Sequence, residues 1–282
     1  MNTLKDWLAW AGEHKVAIGH FNISDSEGFR AAVDAATALK VPVIIGVSEG
    51  ERAFIGVAEV AAMVKAEQAK DLPVFLNADH TYSVALAKEA IDAGFDEVII
   101  DAADKPYAEN VATTKEVVSY ARSKGATLVE AELGFIGQGS ELRANIPQGV
   151  SEATETKPED AARFVTETGI DLLAPSVGNI HGIVSTGEPR LNIERIRAIA
   201  AAVSLPLVLH GASGNSDEDV GAAIDAGIRI VHINTEMRLA YKKGVEEGIK
   251  SDAIAPYRFL AEGVEGMKEV ITHKLKVFNK LQ

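Results

Sequence analysis

Eight short apolar runs, each separated from the next by a stretch with helical character, are the feature that most limits what this 282-residue chain can become. They lie at 17–21, 42–46, 73–76, 97–100, 127–131, 171–174, 206–209 and 228–233. Most are near-continuous in Val, Ile and Leu, which suits parallel strands buried on both faces. Their starts fall roughly 20 to 45 residues apart, room for a crossover helix each time. Two capping boxes are expected, Ser24-Asp25-Ser26-Glu27 and Thr156-Lys157-Pro158-Glu159. Gly94, Gly125, Gly169 and Gly227 stand where helices should end before a strand. The pentapeptide Ala-Ile-Asp-Ala-Gly recurs at 90–94 and 223–227, and Val-Pro or Leu-Pro opens the runs at 42, 73 and 206. Recurring units of this kind predict one closed (β/α)8 barrel over residues 1–282, with a C-terminal helical extension from Pro256. An open doubly wound sheet has the same alternation. Eight units are too many for it, and no Gly-x-Gly-x-x-Gly follows the first run. The longest irregular stretch, 134–155, fits an active-site loop or a disordered surface insertion.

Polar residues gather at the C-terminal ends of the runs, the ends that converge on the catalytic rim of such barrels. They include His20 and Asn22, Ser48, Asp79 and His80, Asp101, Glu130 and Glu132, His181, His210, and His232 with Asn234 and Thr235. Of the seven histidines, only His14 and His273 fall elsewhere. Three neutral imidazoles with one open position make a Lewis-acid site for zinc or a similar divalent ion, and His80, His181 and His210 arrive on separate strands. Asp101 and Glu132 fit either a second metal position or an ion-pair network on the rim. The turn Gly211-Ala212-Ser213-Gly214, with Asn234-Thr235, fits a phosphate cradle or a plain tight βα loop.

Composition narrows the partners. The net charge is −13, a poor match for nucleic acid or an anionic membrane. No stretch approaches the apolar length of a membrane span, and the N-terminus lacks the pattern of a secretion signal. With no cysteine there is no disulfide, thiolate nucleophile or zinc finger. The expectation is a soluble cytoplasmic protein, and a small phosphorylated substrate stays open, because a few local donors can hold one phosphate.

In order along nearly the whole chain, the motifs resemble those of class II, metal-dependent fructose-bisphosphate and tagatose-bisphosphate aldolases. They are Gly19-His20-Phe21-Asn22, Ala78-Asp79-His80, Ile99-Ile100-Asp101-Ala102, Pro106-Tyr107-Ala108-Glu109-Asn110, Val129-Glu130-Ala131-Glu132-Leu133-Gly134, Gly178-Asn179-Ile180-His181-Gly182, Leu209-His210-Gly211-Ala212-Ser213-Gly214 and Asn234-Thr235-Glu236. The resemblance implies reversible aldol cleavage with zinc on His80, His181 and His210, and acidic groups Asp101 and Glu132 around an alternative metal position. It casts Asp79 as the proton shuttle at the C4 oxygen. Gly182, Gly211 and Ser213 become the turn for phosphate and a monovalent cation, and Asn22 and Ser48 become substrate contacts. His232, Asn234 and Thr235 join the substrate side. A homodimer or homotetramer is implied too.

The chain departs from the family at Ser140, where a loop glutamate is expected and Glu141 follows one step later as the nearest candidate base. It departs again at Ala103, at Val184 with Ser185, and at His232, where the family carries Asn. No lysine ends a predicted strand, which argues against a Schiff-base mechanism. Fructose 1,6-bisphosphate is the favoured substrate. Tagatose 1,6-bisphosphate or another ketose or aldehyde, and a non-catalytic binding or scaffold protein, stay open as alternatives.

Overall fold

In the computed structural model, which describes residues 2–137, 139, 141–145, 151–185 and 190–282, the eight runs become eight parallel strands closed into a barrel in chain order. They are Ile18–Asn22, Val43–Val47, Val74–Thr81, Glu97–Ile100, Leu128–Leu133, Leu172–Pro175, Leu207–Leu209 and Ile228–Ile233, called here the first to the eighth strand. The last pairs with the first, His20 opposite His232, and so removes both sheet edges. Pro42, Pro73 and Pro206 stand one residue before their strands, where the missing N–H costs no ladder bond.

Alternation along each strand divides the core. Ile18, Ile44, Phe75, Leu128, Val208 and Ile230 cluster with Leu4, Leu8 and Ala11 of the N-terminal helix Leu4–His14. This apolar plug fills the bottom of the barrel. Phe21, Ile45, Leu76, Val129, Leu209 and Val231, one residue out of phase, pack outward against the helices. Two residues beyond each plug residue the same face turns polar at His20, Asn77, Glu130, His210 and His232, with Gly46 leaving room for the His20 ring. Two residues later come Asn22, Ser48, Asp79, Glu132 and Asn234.

Two expected capping boxes are corrected by the structure. Helix Ser26–Leu39 takes Asp25 as its N-cap, whose Oδ1 accepts from Gly28 N at 2.7 Å, so Ser24 stays outside the helix. Helix Pro158–Thr168 has Lys157 at its N-cap. Thr156 instead donates its hydroxyl to Leu133 O and accepts from Ser176 N at 2.9 Å, tying the fifth strand's end to the sixth's. The glycines do end their helices, Gly94 and Gly169 in the left-handed conformation at φ of 84° and 71°. The C-terminal extension is not one helix. A short turn at Pro256–Phe259 precedes helix Ala261–Phe278, which packs against helices Ser26–Leu39 and Thr235–Gly248. Part of the 134–155 stretch forms a small ribbon, Leu142–Arg143 beside Ile183–Val184.

Gly46 shows how tightly the polar layer is fitted. A Cβ there would lie 2.0 Å from Cε1 of the His20 ring, a side chain with no exposed surface. Gly46→Ala is expected to lower unfolding stability by about 1–3 kcal/mol through overpacking. Thermal denaturation of the two proteins side by side checks it, and an unchanged midpoint would show that the ring can move aside.

Candidate active site

His80, His181 and His210 meet at the C-terminal mouth of the barrel, delivered by the third strand, the turn after the sixth and the end of the seventh. Their ring centroids lie 4.7 Å (His80–His181), 5.0 Å (His80–His210) and 5.8 Å (His181–His210) apart. Each ring has one nitrogen tied to a protein acceptor. His80 Nδ1 donates to Asp101 Oδ2 at 2.9 Å, His181 Nδ1 to Gly137 O at 2.8 Å, and His210 Nε2 to Glu130 Oε1 at 2.6 Å. The other nitrogen of each faces the common centre. One nitrogen of each of these rings and one Glu132 oxygen lie within 4.8 Å of one another. His210 Nδ1 and Glu132 Oε1 are 2.6 Å apart, yet neither makes a hydrogen bond. Imidazoles fixed by outer acceptors, with orphaned donor atoms turned inward beside a carboxylate, are what a divalent cation satisfies. These four side chains could hold one.

The charges are balanced tightly. Burial pulls the His80 imidazole down, but Asp79, Asp101 and Glu132 outweigh it and raise it to about 9. Burial likewise opposes protonation of His210, and Glu130 and Glu132 still hold it well above the ordinary range. His181, buried and facing the two cationic rings, is lowered to about 3. Beneath them His20 lies flat on His232 at 3.5 Å, and burial lowers it to about 4. His20 is therefore a wall of the barrel interior rather than a rim residue. Glu97, fully buried beside Glu130, is held well above the carboxylate range by burial and by that neighbour.

The other expected residues surround this centre. Asn22, Asp79, Gly182, Gly211, Ser213, His232, Asn234 and Thr235 line the inner cleft beside His80 and His181. Ser48 and Asp101 line its outer part, a space of about 270 Å³ that also touches Glu49, Tyr82 and Arg238. At Gly211, φ is +60° and a Cβ would lie 2.4 Å from Ile180 O, so the turn comes as close as glycine permits. Ser213 Oγ accepts from Asn234 N at 3.2 Å, and helix Thr235–Gly248 begins at the cleft with its first N–H groups uncommitted to the helix. Such a helix start favours an anion. Glu141 is the exception: it is exposed, its backbone packs on Gly182, and it does not line the cleft. Ser140 lies outside the described residues. Among the described residues no lysine lines the cleft, and buried Lys274 is engaged by Asp217 and Glu236, each at 3.3 Å.

The comparisons with known proteins agree with this geometry. The family profile described as fructose-bisphosphate aldolase class-II matches residues 2–282. The chain belongs to the class II fructose-bisphosphate aldolase family. This makes it a metal-dependent lyase. A fructose-bisphosphate aldolase of Staphylococcus aureus is 38% identical over 98% of this chain and 96% of its own, and one of Staphylococcus epidermidis is as similar. Among solved structures, the YdjI aldolase of Escherichia coli K12 superposes with a TM-score of 0.85 at 34% identity, covering 98% of this chain and 96% of that one. Among the described residues, no helix of this aldolase-family chain is long and apolar enough to cross a membrane.

Sequence reasoning misses the residues that support the site from behind. Glu130 stands at a strand end with no role that the sequence suggests, and it holds His210. Arg52 is buried in helix Glu49–Ile55 and donates to Val47 O at 2.6 Å, Asp79 O at 3.3 Å and Thr81 Oγ1 at 3.0 Å. It braces a register shift in the third strand between Ala78 and Thr81, where His80 has φ of +40°. A left-handed backbone at a residue with a Cβ costs about 1–2 kcal/mol, so it needs such a brace. The signal is present as an Arg one turn after a strand end, but a helical Arg is normally solvated. Arg52→Met should lower stability by about 1–3 kcal/mol because it leaves buried acceptors unpaired. Chemical denaturation tests this, and wild-type stability in the variant would mean that the bulge holds itself.

Proposed function

We propose that the protein cleaves a ketose 1,6-bisphosphate reversibly, fructose 1,6-bisphosphate in preference, to dihydroxyacetone phosphate and glyceraldehyde 3-phosphate, with zinc as its metal. The observation that carries this is the set of three imidazoles delivered by separate βα units, each anchored by one nitrogen and turned to a common point beside Asp79. On this reading His80, His181 and His210 hold the ion, and Glu132 with Asp101 serves an alternative position. A divalent ion bound there supplies Lewis-acid stabilisation of the negative charge that develops on the ketose oxygens.

The chain's own groups do the rest. Asp79 accepts the proton of the C4 hydroxyl as the C3–C4 bond breaks, its electron pair staying with C3 and C4 becoming the aldehyde carbon. In condensation it returns that proton. Asp79 is suited to this because it is ionised. Burial opposes its charge, but His80, His232 and His20 hold its carboxyl well below the usual range. Glu141 is assigned the proton exchange at C3, which requires its exposed loop to fold over the cleft. Asn22, Ser48 and His232 contact the sugar. Gly182, Gly211, Ser213, Asn234 and Thr235 receive the phosphate, with room in the same turn for a monovalent cation. We assign the protein to the cytoplasm as a homodimer or homotetramer. The name of the Staphylococcus aureus relative supports the substrate.

A second reading keeps the chemistry and changes the sugar to tagatose 1,6-bisphosphate or another ketose. His232 favours it: where the family carries Asn, a ring stacked between His20 and His210, with centroids 3.5 Å and 4.2 Å away, forms part of the cleft wall.

Assay of fructose 1,6-bisphosphate cleavage before and after chelation decides the main proposal. EDTA should abolish activity and added zinc should restore it. Inactivation by borohydride in the presence of substrate would instead reveal a Schiff base and overturn it. The metal should also displace protons. His80 stays protonated up to about pH 9 without metal, and His210 beyond the ordinary range, so protons compete with the ion at neutral pH. Zinc affinity should rise by about one to two log units per pH unit between pH 6 and 8, as protonated ligands give way. Calorimetric titration in buffers of different ionisation enthalpy would report one to two protons released per ion, whereas none released would contradict this charge balance.

A further inference from the structure

Glu51 and Arg52 are consecutive in the helix that follows the second strand, and that strand lies between the first and the third. Adjacent helical residues point about 100° apart, so one side chain can reach each neighbouring strand. Arg52 takes the third strand, as described. Glu51 takes the first. Its Oε2 accepts from Asn22 Nδ2 at 2.9 Å and from Ser48 N at 2.8 Å, while Oε1 accepts from Arg238. The second amide hydrogen of Asn22 goes to Asp79 Oδ2 at 2.8 Å.

A primary amide has two N–H donors and one carbonyl. With Glu51 taking one donor, the Asn22 amide is locked with its nitrogen toward Asp79 and cannot flip to present its oxygen there. Asp79 Oδ2 is thereby fixed. Its Oδ1 is left without a hydrogen bond, 3.6 Å from His232 Nδ1 and 3.8 Å from His80 Nε2. We propose that Glu51 is a positioning residue for Asp79, acting through Asn22 to aim the free Oδ1 at the substrate hydroxyl. The proposal rests on the reading of Asp79 as the proton acceptor at C4. It gives Asn22 a double part, since with both hydrogens committed it offers the cleft only an acceptor.

The test compares two half-reactions of the zinc-loaded enzyme. Cleavage of fructose 1,6-bisphosphate needs Asp79, whereas exchange of the C3 hydrogen of dihydroxyacetone phosphate with deuterated water does not. Glu51→Ala should lower kcat for cleavage about 10- to 100-fold, the scale of a small misplacement, with little change in KM or in the exchange rate. Glu51→Gln should recover most of the loss, because its carbonyl can still accept from Asn22 and Ser48. Equal loss of cleavage and exchange, no loss in either, or a Gln variant no better than Ala would overturn the proposal. NMR of the Asn22 side-chain amide probes the same contact without substrate: its hydrogens should exchange with solvent faster in Glu51→Ala than in the wild type. Unchanged exchange would sink the proposal. Wild-type protein that fails to cleave the bisphosphate would refute the functional reading instead, and the amide measurement would still decide the role of Glu51.

Discussion

Glu130 and Glu132 on the fifth strand grip the two nitrogens of His210 on the seventh, each at 2.6 Å, across the sixth strand between them. That contact lies where water is excluded, so neither carboxylate nor imidazole could stay charged there alone. Closure of the barrel and charge balance in its mouth are the same event. Asp101, Asp79 and Glu132 around His80 repeat the arrangement on the third strand. The network is short of positive charge and keeps unpaired donor atoms facing inward. A dication is the simplest species that completes it.

Support for this centre comes in layers. The apolar plug packs the bottom of the barrel against the N-terminal helix. The middle layer fills the interior with polar groups: His20 is stacked on His232 and lowered to about 4 by burial, and Glu97 beside Glu130 is held well above the carboxylate range. Outside the barrel wall, two amides steady the candidate metal-binding side chains: Asn110 Nδ2 donates to Glu132 O at 3.1 Å, and Asn179 Nδ2 to His210 O at 3.0 Å. Neither residue lines the cleft, yet each fixes the strand end from which one of these candidate side chains projects.

Much of this is legible along the chain. Continuous Val, Ile and Leu runs are buried on both faces, so they read as parallel strands without any partner being known. Polar residues at the end of each run have one place to meet once the barrel is inferred. The differences are local. At Ser24 and Thr156 the sequence pattern of a capping box is present, but Asp25 captures one helix start and the strand ends at Leu133 and Ser176 capture the other threonine. His20 reads as a rim residue because it sits near a strand end. One turn of the pleat lower than Asn22, it is sealed in the interior instead. Glu51 and Arg52 are invisible because a charged pair in the first turn of a helix is ordinarily a solvated cap.

The sequence by itself determined the eight-strand alternation, the lack of thiol chemistry, and the order in which imidazoles and carboxylates reach one rim. These follow from periodicity and residue type, which are properties of neighbours along the chain. Tertiary structure alone decided which nitrogen of each histidine is tied down, which carboxyl is pushed out of its ordinary range, and what Asp79 bonds to. Those depend on contacts between residues 21 to 80 positions apart, such as His80 with Asp101 and His210 with Glu130. In a closed barrel such distances vanish, and hydrogen-bond geometry and local dielectric, rather than spacing, set the chemistry.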